Sequence, residues 1–251
     1  MKIKNAVSLF VAFCKTIGYL TLLMVVVLFL DSNYISVRLD NAQHYATFGM
    51  LITFAVLFYK APARIRELML YAVIIGVIGE HLFSLGLKMY SYRLGNVPLY
   101  VPPGHAIVYI TAIYFCKKAS VKQHRKSLEN YFAIFIIIYA TLFLLLANDV
   151  FGFTMSLLVL YLLRKHPRER LFFYSMYIVV AFLEIIGTNY GCWVWPNTAY
   201  GIFPFLKSAN PPSGISLFYF TLDLGCLWLY KCRHKIAWNR MKHIRTLKEK
   251  R

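Results

Sequence analysis

The chain has 251 residues, of which 59% are hydrophobic and 15% charged, with a mean hydropathy of +0.57. That balance is too apolar for a soluble domain and places the chain among polytopic all-α membrane proteins. The net charge of +18 does not point to nucleic acid, because the basic residues are gathered in particular loops.

Apolar runs of membrane-spanning length predict eight helices, at 6–30, 45–59, 68–89, 104–116, 131–147, 149–163, 171–190 and 213–230. The second, fourth and sixth are short, so each needs its flanking aromatic residues or a smaller tilt to cross. The first carries Lys15 and lacks a small-x-small cleavage pattern, so it reads as an uncleaved span. With the N-terminus inside, the loops 1–5, 60–67, 117–130, 164–170 and 231–251 hold 23 of the 28 Lys and Arg residues. The opposite loops hold only Arg38, Lys88, Arg93 and Lys207. This bias predicts both termini in the cytoplasm, with the protein in a bacterial cytoplasmic membrane. Five cysteines, Cys14, Cys116, Cys192, Cys226 and Cys232, contain no C-x-x-C pair and suggest neither a disulfide framework nor a zinc site.

A motif is written twice, about one hundred residues apart. The first copy runs Glu80, Gly86, Tyr90-Ser91-Tyr92, Gly95, Pro98, Pro102-Pro103-Gly104. The second runs Glu184, Gly187, Gly191, Trp193-Val194-Trp195, Gly201, Pro204, Pro211-Pro212-Ser213-Gly214. Each puts an acid inside an apolar helix, ahead of an aromatic pair and a Gly/Pro-rich turn. The repeat divides the chain into a first four-span half (1–118), a basic linker (119–130), a second four-span half (131–231) and a basic tail (232–251). Four is even, so both halves insert the same way and form parallel repeats about an axis along the membrane normal. In the tail, Ile236, Trp238, Met241, Ile244 and Leu247 recur at helical spacings, as in an amphipathic helix lying on the anionic inner leaflet.

Carboxylates in lipid are costly, so two at matching places mark a candidate site. Gly76, Glu80, Ser84 and Lys88 share a helical stripe, which turns Glu80 toward a small, polar groove, while His81 serves another face. Gly187 and Gly191 leave room beside Glu184 for a neighbouring helix or a ligand. Asp223 is a third acid, in the eighth segment, and His105 opens the fourth just after Pro102-Pro103-Gly104. Lys15 offers these three acids at most one ion pair within the spans, so at least one is protonated or faces water. A protonated carboxyl in an apolar pocket is a general acid, and the faces of Tyr90, Tyr92, Trp193 and Trp195 can stabilise a cation. The plainer readings are interhelical hydrogen bonding for the acids and an interfacial aromatic belt for the rings. No histidine box, Walker sequence, G-x-S-x-G elbow or H-E-x-x-H is present, so the sequence calls for no metal or other cofactor.

The order Glu, Gly, aromatic-x-aromatic, Gly-x-Val-Pro and a further Pro resembles the integral-membrane carotenoid-biosynthesis proteins, the bacterioruberin-type hydratase and lycopene-cyclase-like group. The resemblance rests on Glu80, Tyr90, Tyr92, Gly95, Val97, Pro98 and Pro102, and on Glu184, Gly187, Trp193, Trp195, Gly201 and Pro204 in the second half. It covers about a quarter of the chain. It implies a membrane enzyme that protonates a double bond of a long polyene or polyisoprenoid, with Glu80 or Glu184 as acid and the Tyr and Trp pairs shielding the carbocation. A proton-coupled or lipid transporter would use the same acids, and a non-catalytic membrane subunit would keep them only as hydrogen-bonding groups.

Overall fold

The computed structural model describes residues 3–249, and every predicted apolar segment in it is helical. The first segment is one rod: α1 (Ile3–Phe13), a π-turn at Cys14–Gly18 and α2 (Tyr19–Leu30). A short α3 (Asn33–Ser36) follows, capped where the Ser32 hydroxyl accepts from the Ile35 amide at 3.3 Å. The second and third segments are α4 (Ala42–Lys60) and α5 (Ala63–Glu80), separated at Pro62, whose extended backbone starts the new helix. α5 continues through a π-turn at His81–Gly86. That turn breaks the predicted Gly76–Lys88 stripe: Lys88 lies beyond it at φ +49° and is exposed, whereas Glu80 and Ser84 are buried.

The fourth segment is α6 (Val101–Lys117), with Pro102 and Pro103 in its first turn, where a missing N–H costs nothing. The predicted basic linker is itself helical, as α7 (Ala119–Gln123) leads through His124 directly into α8 (Arg125–Ala147). Asn148, left-handed at φ 56°, turns α8 into α9 (Val150–Arg164), and α10 (Arg170–Asn189) is the seventh segment. The eighth is α11 (Ser216–Arg233), and α12 (Lys235–Glu249) supplies the predicted helical tail. In α12 Ile236 is exposed and the Trp238 ring lies 5.0 Å from Lys231 at the end of α11, while the side chains of Met241 and Leu247 fall outside the described residues.

Among the described residues, four helices are long and apolar enough to cross a membrane: Val7–Ser36, Ala63–Gly86, Arg125–Ala147 and Arg170–Asn189. They are the odd members of the predicted eight. The 15 residues of α9 reach only about 22 Å at 1.5 Å per residue, short of a ~30 Å hydrocarbon layer. The surface is apolar: α8 buries only Glu129, Ile136 and Ala140, and exposes Phe135, Ile138, Leu142, Leu145 and Leu146. Such a lipid-like exterior is compatible with an integral membrane protein. The interior holds ionisable side chains, with Asp31, Glu80, His105, Asp149, Glu184 and Asp223 all buried.

α5 packs on α6 and α11, and α10 packs on α6, α8 and α2. Two short ladders, which no periodicity in the sequence announces, close one end of the bundle. β1 (Ser91–Tyr92) pairs antiparallel with β2 (Trp193–Val194), and β3 (Thr198–Ala199) pairs with β4 (Phe203–Lys207). The other end is basic. There Arg125 and Arg170 hold Glu129 at 2.7 and 4.0 Å, and Arg233 and His234 hold Glu67 at 3.3 and 2.7 Å.

Candidate functional site

The two copies of the repeated motif meet. Ser91 pairs with Val194, the middle residues of the two aromatic triplets, and Tyr92 pairs with Trp193. On the other side of that pair the Tyr90 ring lies 4.5 Å from Trp195, and the Tyr92 and Trp193 rings are 6.0 Å apart. Each aromatic pair then reaches back to the acid of its own copy. The Tyr90 and Tyr92 hydroxyls both donate to Glu80 Oε2, the latter at 2.6 Å. The Trp193 and Trp195 indole N–H groups both donate to Glu184 Oε2, at 2.8 and 3.1 Å.

The two acids differ in what remains around them. Glu184 Oε1 accepts from the Tyr219 hydroxyl of α11 at 2.9 Å. Indoles can only donate, so the two of them fix Oε2 as an acceptor, and an acidic proton on Glu184 belongs on Oε1. Glu184 also lines a cavity of ≈ 80 Å³ with Tyr90, Tyr92, His105, Trp193 and Tyr219, and Met24, Leu28 and Met50 are also in its wall. Glu80 lines only a crevice of ≈ 10 Å³, behind Tyr90 and Trp195. Of the four aromatic rings, Trp195 is thus the one outside the larger cavity, its face covered by Tyr90.

No protein-family model, curated protein or solved structure matches the chain.

The glycines work through packing. A Cβ on Gly187 would lie 2.2 Å from the Trp193 ring, so the absence of a side chain there lets the indole settle against α10 and reach Glu184. Gly191 holds φ +70° and its missing Cβ makes way for Asn33, so it shapes the turn before β2 and does not line the cavity. On the first-half side, Gly76 of α5 lies against Pro102 and His105 of α6, and a Cβ there would meet them at 3.4–3.8 Å, an ordinary contact, so that glycine is not required by packing.

His105 and Asp223 face each other between α6 and α11, with Nε2 and Oδ1 3.5 Å apart and side chains 3% and 1% exposed. His105 Nε2 and both Asp223 carboxylate oxygens have no hydrogen-bond partner. His81 stays apart from the site: its Nδ1 meets the Val77 carbonyl at 2.8 Å on an exposed face.

Two further buried acids went unnoticed in the sequence, and they too occupy matching places. Asp31, fully buried just after α2, takes Arg93 Nη2 at 2.5 Å on Oδ1 and the Tyr100 hydroxyl at 2.8 Å on Oδ2. Asp149, fully buried just before α9, accepts from the amides of Gly152 (3.0 Å), Ala209 (3.1 Å) and Ser213 (2.7 Å). Each aspartate ties the turn after the first helix of its half to the loop that carries the prolines. Those loops end where α6 and α11 begin, so the aspartates set the positions of His105, Tyr219 and Asp223. The signal for them was present: Asp31 directly follows the first apolar segment, and Asp149 opens the sixth, two residues after the fifth ends. Tyr219 was legible too, one helical turn before Asp223.

Proposed function

We propose that the protein is an eight-span membrane enzyme that adds a proton to a double bond of a polyisoprenoid or similar unsaturated lipid, with Glu184 as the acid. The observation that carries this reading is the placement of Glu184. It is a buried carboxyl whose Oε2 accepts from two indoles, whose Oε1 accepts from Tyr219, and which lines a cavity walled mainly by aromatic, aliphatic and thioether side chains. A transferred proton leaves a carbocation on the substrate, and the faces of Tyr90, Tyr92 and Trp193 are the groups that stabilise it. Water or a second alkene then captures the cation, giving hydration or cyclisation. A cavity of ≈ 80 Å³ admits several waters or one branched chain end, so the rest of a long substrate would lie outside it, in lipid.

Two parallel four-helix halves are part of the same proposal. The crosswise packing of α5 on α11 and α6 on α10, the central pairing of Ser91 with Val194 and the matching aspartates are what a two-fold relation between halves would produce. The basic end then faces the cytoplasm, with α12 along the anionic leaflet and the site toward the outer one. The resemblance to carotenoid-biosynthesis proteins agrees with this chemistry. The reading is tested by comparing lipid extracts of membranes holding wild-type protein or Glu184→Gln by chromatography and mass spectrometry. The expected result is an isoprenoid unique to wild type, either isobaric with its precursor or heavier by one water. Identical extracts, with solute moved unchanged down an imposed proton gradient, would instead identify a transporter.

A further inference from the structure

We infer that Asp223 and His105 form a proton route that joins the basic end of the bundle to Glu184. The inference rests on the reading of Glu184 as an acid that must regain its proton after each use. It starts from an anomaly of packing: His105 Nε2 and the Asp223 carboxylate, both buried, approach to 3.5 Å, and among the described residues neither of these groups has a hydrogen-bond partner. Buried polar groups left in that state are costly, and a site needing only packing would hold apolar side chains.

The pair also separates two cavities. His105 lines the ≈ 80 Å³ cavity that contains Glu184 and Tyr219. Asp223 lines a second cavity of ≈ 220 Å³ at the basic end, with Arg64, Lys117, Arg168 and Glu169 around it. Along α11 the order is Tyr219, bonded to Glu184, then Asp223 one turn on, then Leu227 in the wall of the second cavity. Apart from the His–Asp contact, each step has space for water, since one water needs only about 10–15 Å³ of such volume.

The transfer balances without a co-reactant. A proton from water in the basic-end cavity, or from Glu169, binds the Asp223 carboxylate. Asp223 passes it to His105 Nε2, making an imidazolium. The imidazolium ring turns Nε2–H toward the upper cavity and releases that proton to water there, and that water protonates the Glu184 carboxylate. The neutral ring, with Nδ1–H kept throughout, turns back so that Nε2 again faces Asp223. The arginines and lysine of the lower cavity stabilise Asp223 in its ionised moment, and chains of Asp, Glu and His are the usual proton relays of membrane interiors.

Infrared spectroscopy of the full chain reconstituted in lipid tests the route without turnover. The carboxylic C=O band that disappears in Glu184→Gln is followed after transfer from H₂O to D₂O. The expected result is that its isotope shift slows by an order of magnitude in Asp223→Asn and in His105→Phe, while Glu67→Gln, at the basic end but off the route, exchanges like wild type. The isosteric Asp223→Asn carries the test where His105→Phe fails to assemble. Equal exchange rates throughout, or no band dependent on Glu184, would overturn the route. Loss of lipid product in Glu184→Gln alongside Asp223-independent exchange would remove the route and leave the enzyme reading standing. A slowed exchange with no lipid product in wild type would do the reverse.

Discussion

Glu80 and Glu184 hold the same place in the two copies of one motif, and both accept from the aromatic pair that follows, yet their surroundings diverge. Glu80 is held by two phenols, which can donate or accept, and adjoins a crevice of ≈ 10 Å³. Glu184 is held by two indoles, which only donate, and borders the larger cavity with a third donor on its other oxygen. Tyr for Trp in an otherwise repeated pattern thus separates a carboxyl beside a narrow crevice from one beside a larger cavity. On the proposed reading, the difference teaches that a repeated motif can supply the frame of a site while a change of donor chemistry assigns the work to one copy.

The sharpest way to break this comparison is to neutralise each acid in turn. Glu184→Gln is expected to lower product formation by about 10²–10⁴-fold, the usual range for a lost general acid, with Glu80→Gln costing less than about tenfold. Lipid product per unit of folded protein in membranes measures both. Equal losses would make the halves equivalent, and unchanged turnover in both would remove acid chemistry altogether.

Next in size are the aspartates. Asp31→Ala leaves Arg93 and the Tyr100 hydroxyl without their partner, and loss of one member of a buried pair costs about 3–5 kcal/mol. Asp149→Ala strands three amides, that of Gly152 being the N-cap bond of α9, and a loss of similar size is expected, at roughly 1–3 kcal/mol for each unsatisfied group. Thermal unfolding in detergent should therefore show both variants much less stable than wild type. A small effect at Asp149 alone would mean that the proline loop of the second half is held by other contacts, such as Tyr177 donating to the Ser213 carbonyl at 2.7 Å.

Much of this arrangement could be read from the sequence, for reasons that differ by element. The helices were legible because lipid-length apolar runs report themselves, and α4, α6 and α8 lengthen only at ends where polar or Pro residues had masked the helix. The pairing of the acids with the aromatic residues was half legible. Repetition pointed to Glu80, Glu184 and the Tyr and Trp pairs, but the expected role of the rings was cation shielding, and their polar edges as hydrogen-bond donors became evident only in three dimensions. Asp31 and Asp149 escaped because an aspartate at the end of an apolar run looks like an ordinary cap or loop residue. The β1–β2 ladder was illegible, since two-residue strands have no periodicity, and so was the π-turn that removes Lys88 from the Glu80 stripe.

Smaller effects sharpen the role of packing. Gly187→Ala forces a methyl into the Trp193 ring, and overpacking of this kind costs about 1–3 kcal/mol. The indole should leave Glu184, which a shift in tryptophan fluorescence would record. Tyr219→Phe removes one donor of three from Glu184 and is expected to cost about 1 kcal/mol or less in stability while changing turnover more than Tyr139→Phe, whose hydroxyl has no hydrogen-bond partner to lose.

The central claim is that a proton passes from Glu184 to carbon. Its most direct measurement is carbon-bound deuterium in the lipid product formed in D₂O by membranes containing wild-type protein, with Glu184→Gln membranes in parallel. The account expects one deuterium per product molecule, fixed on carbon, from wild type and none from the variant. A product without carbon-bound deuterium, or equal labelling in both, would contradict it.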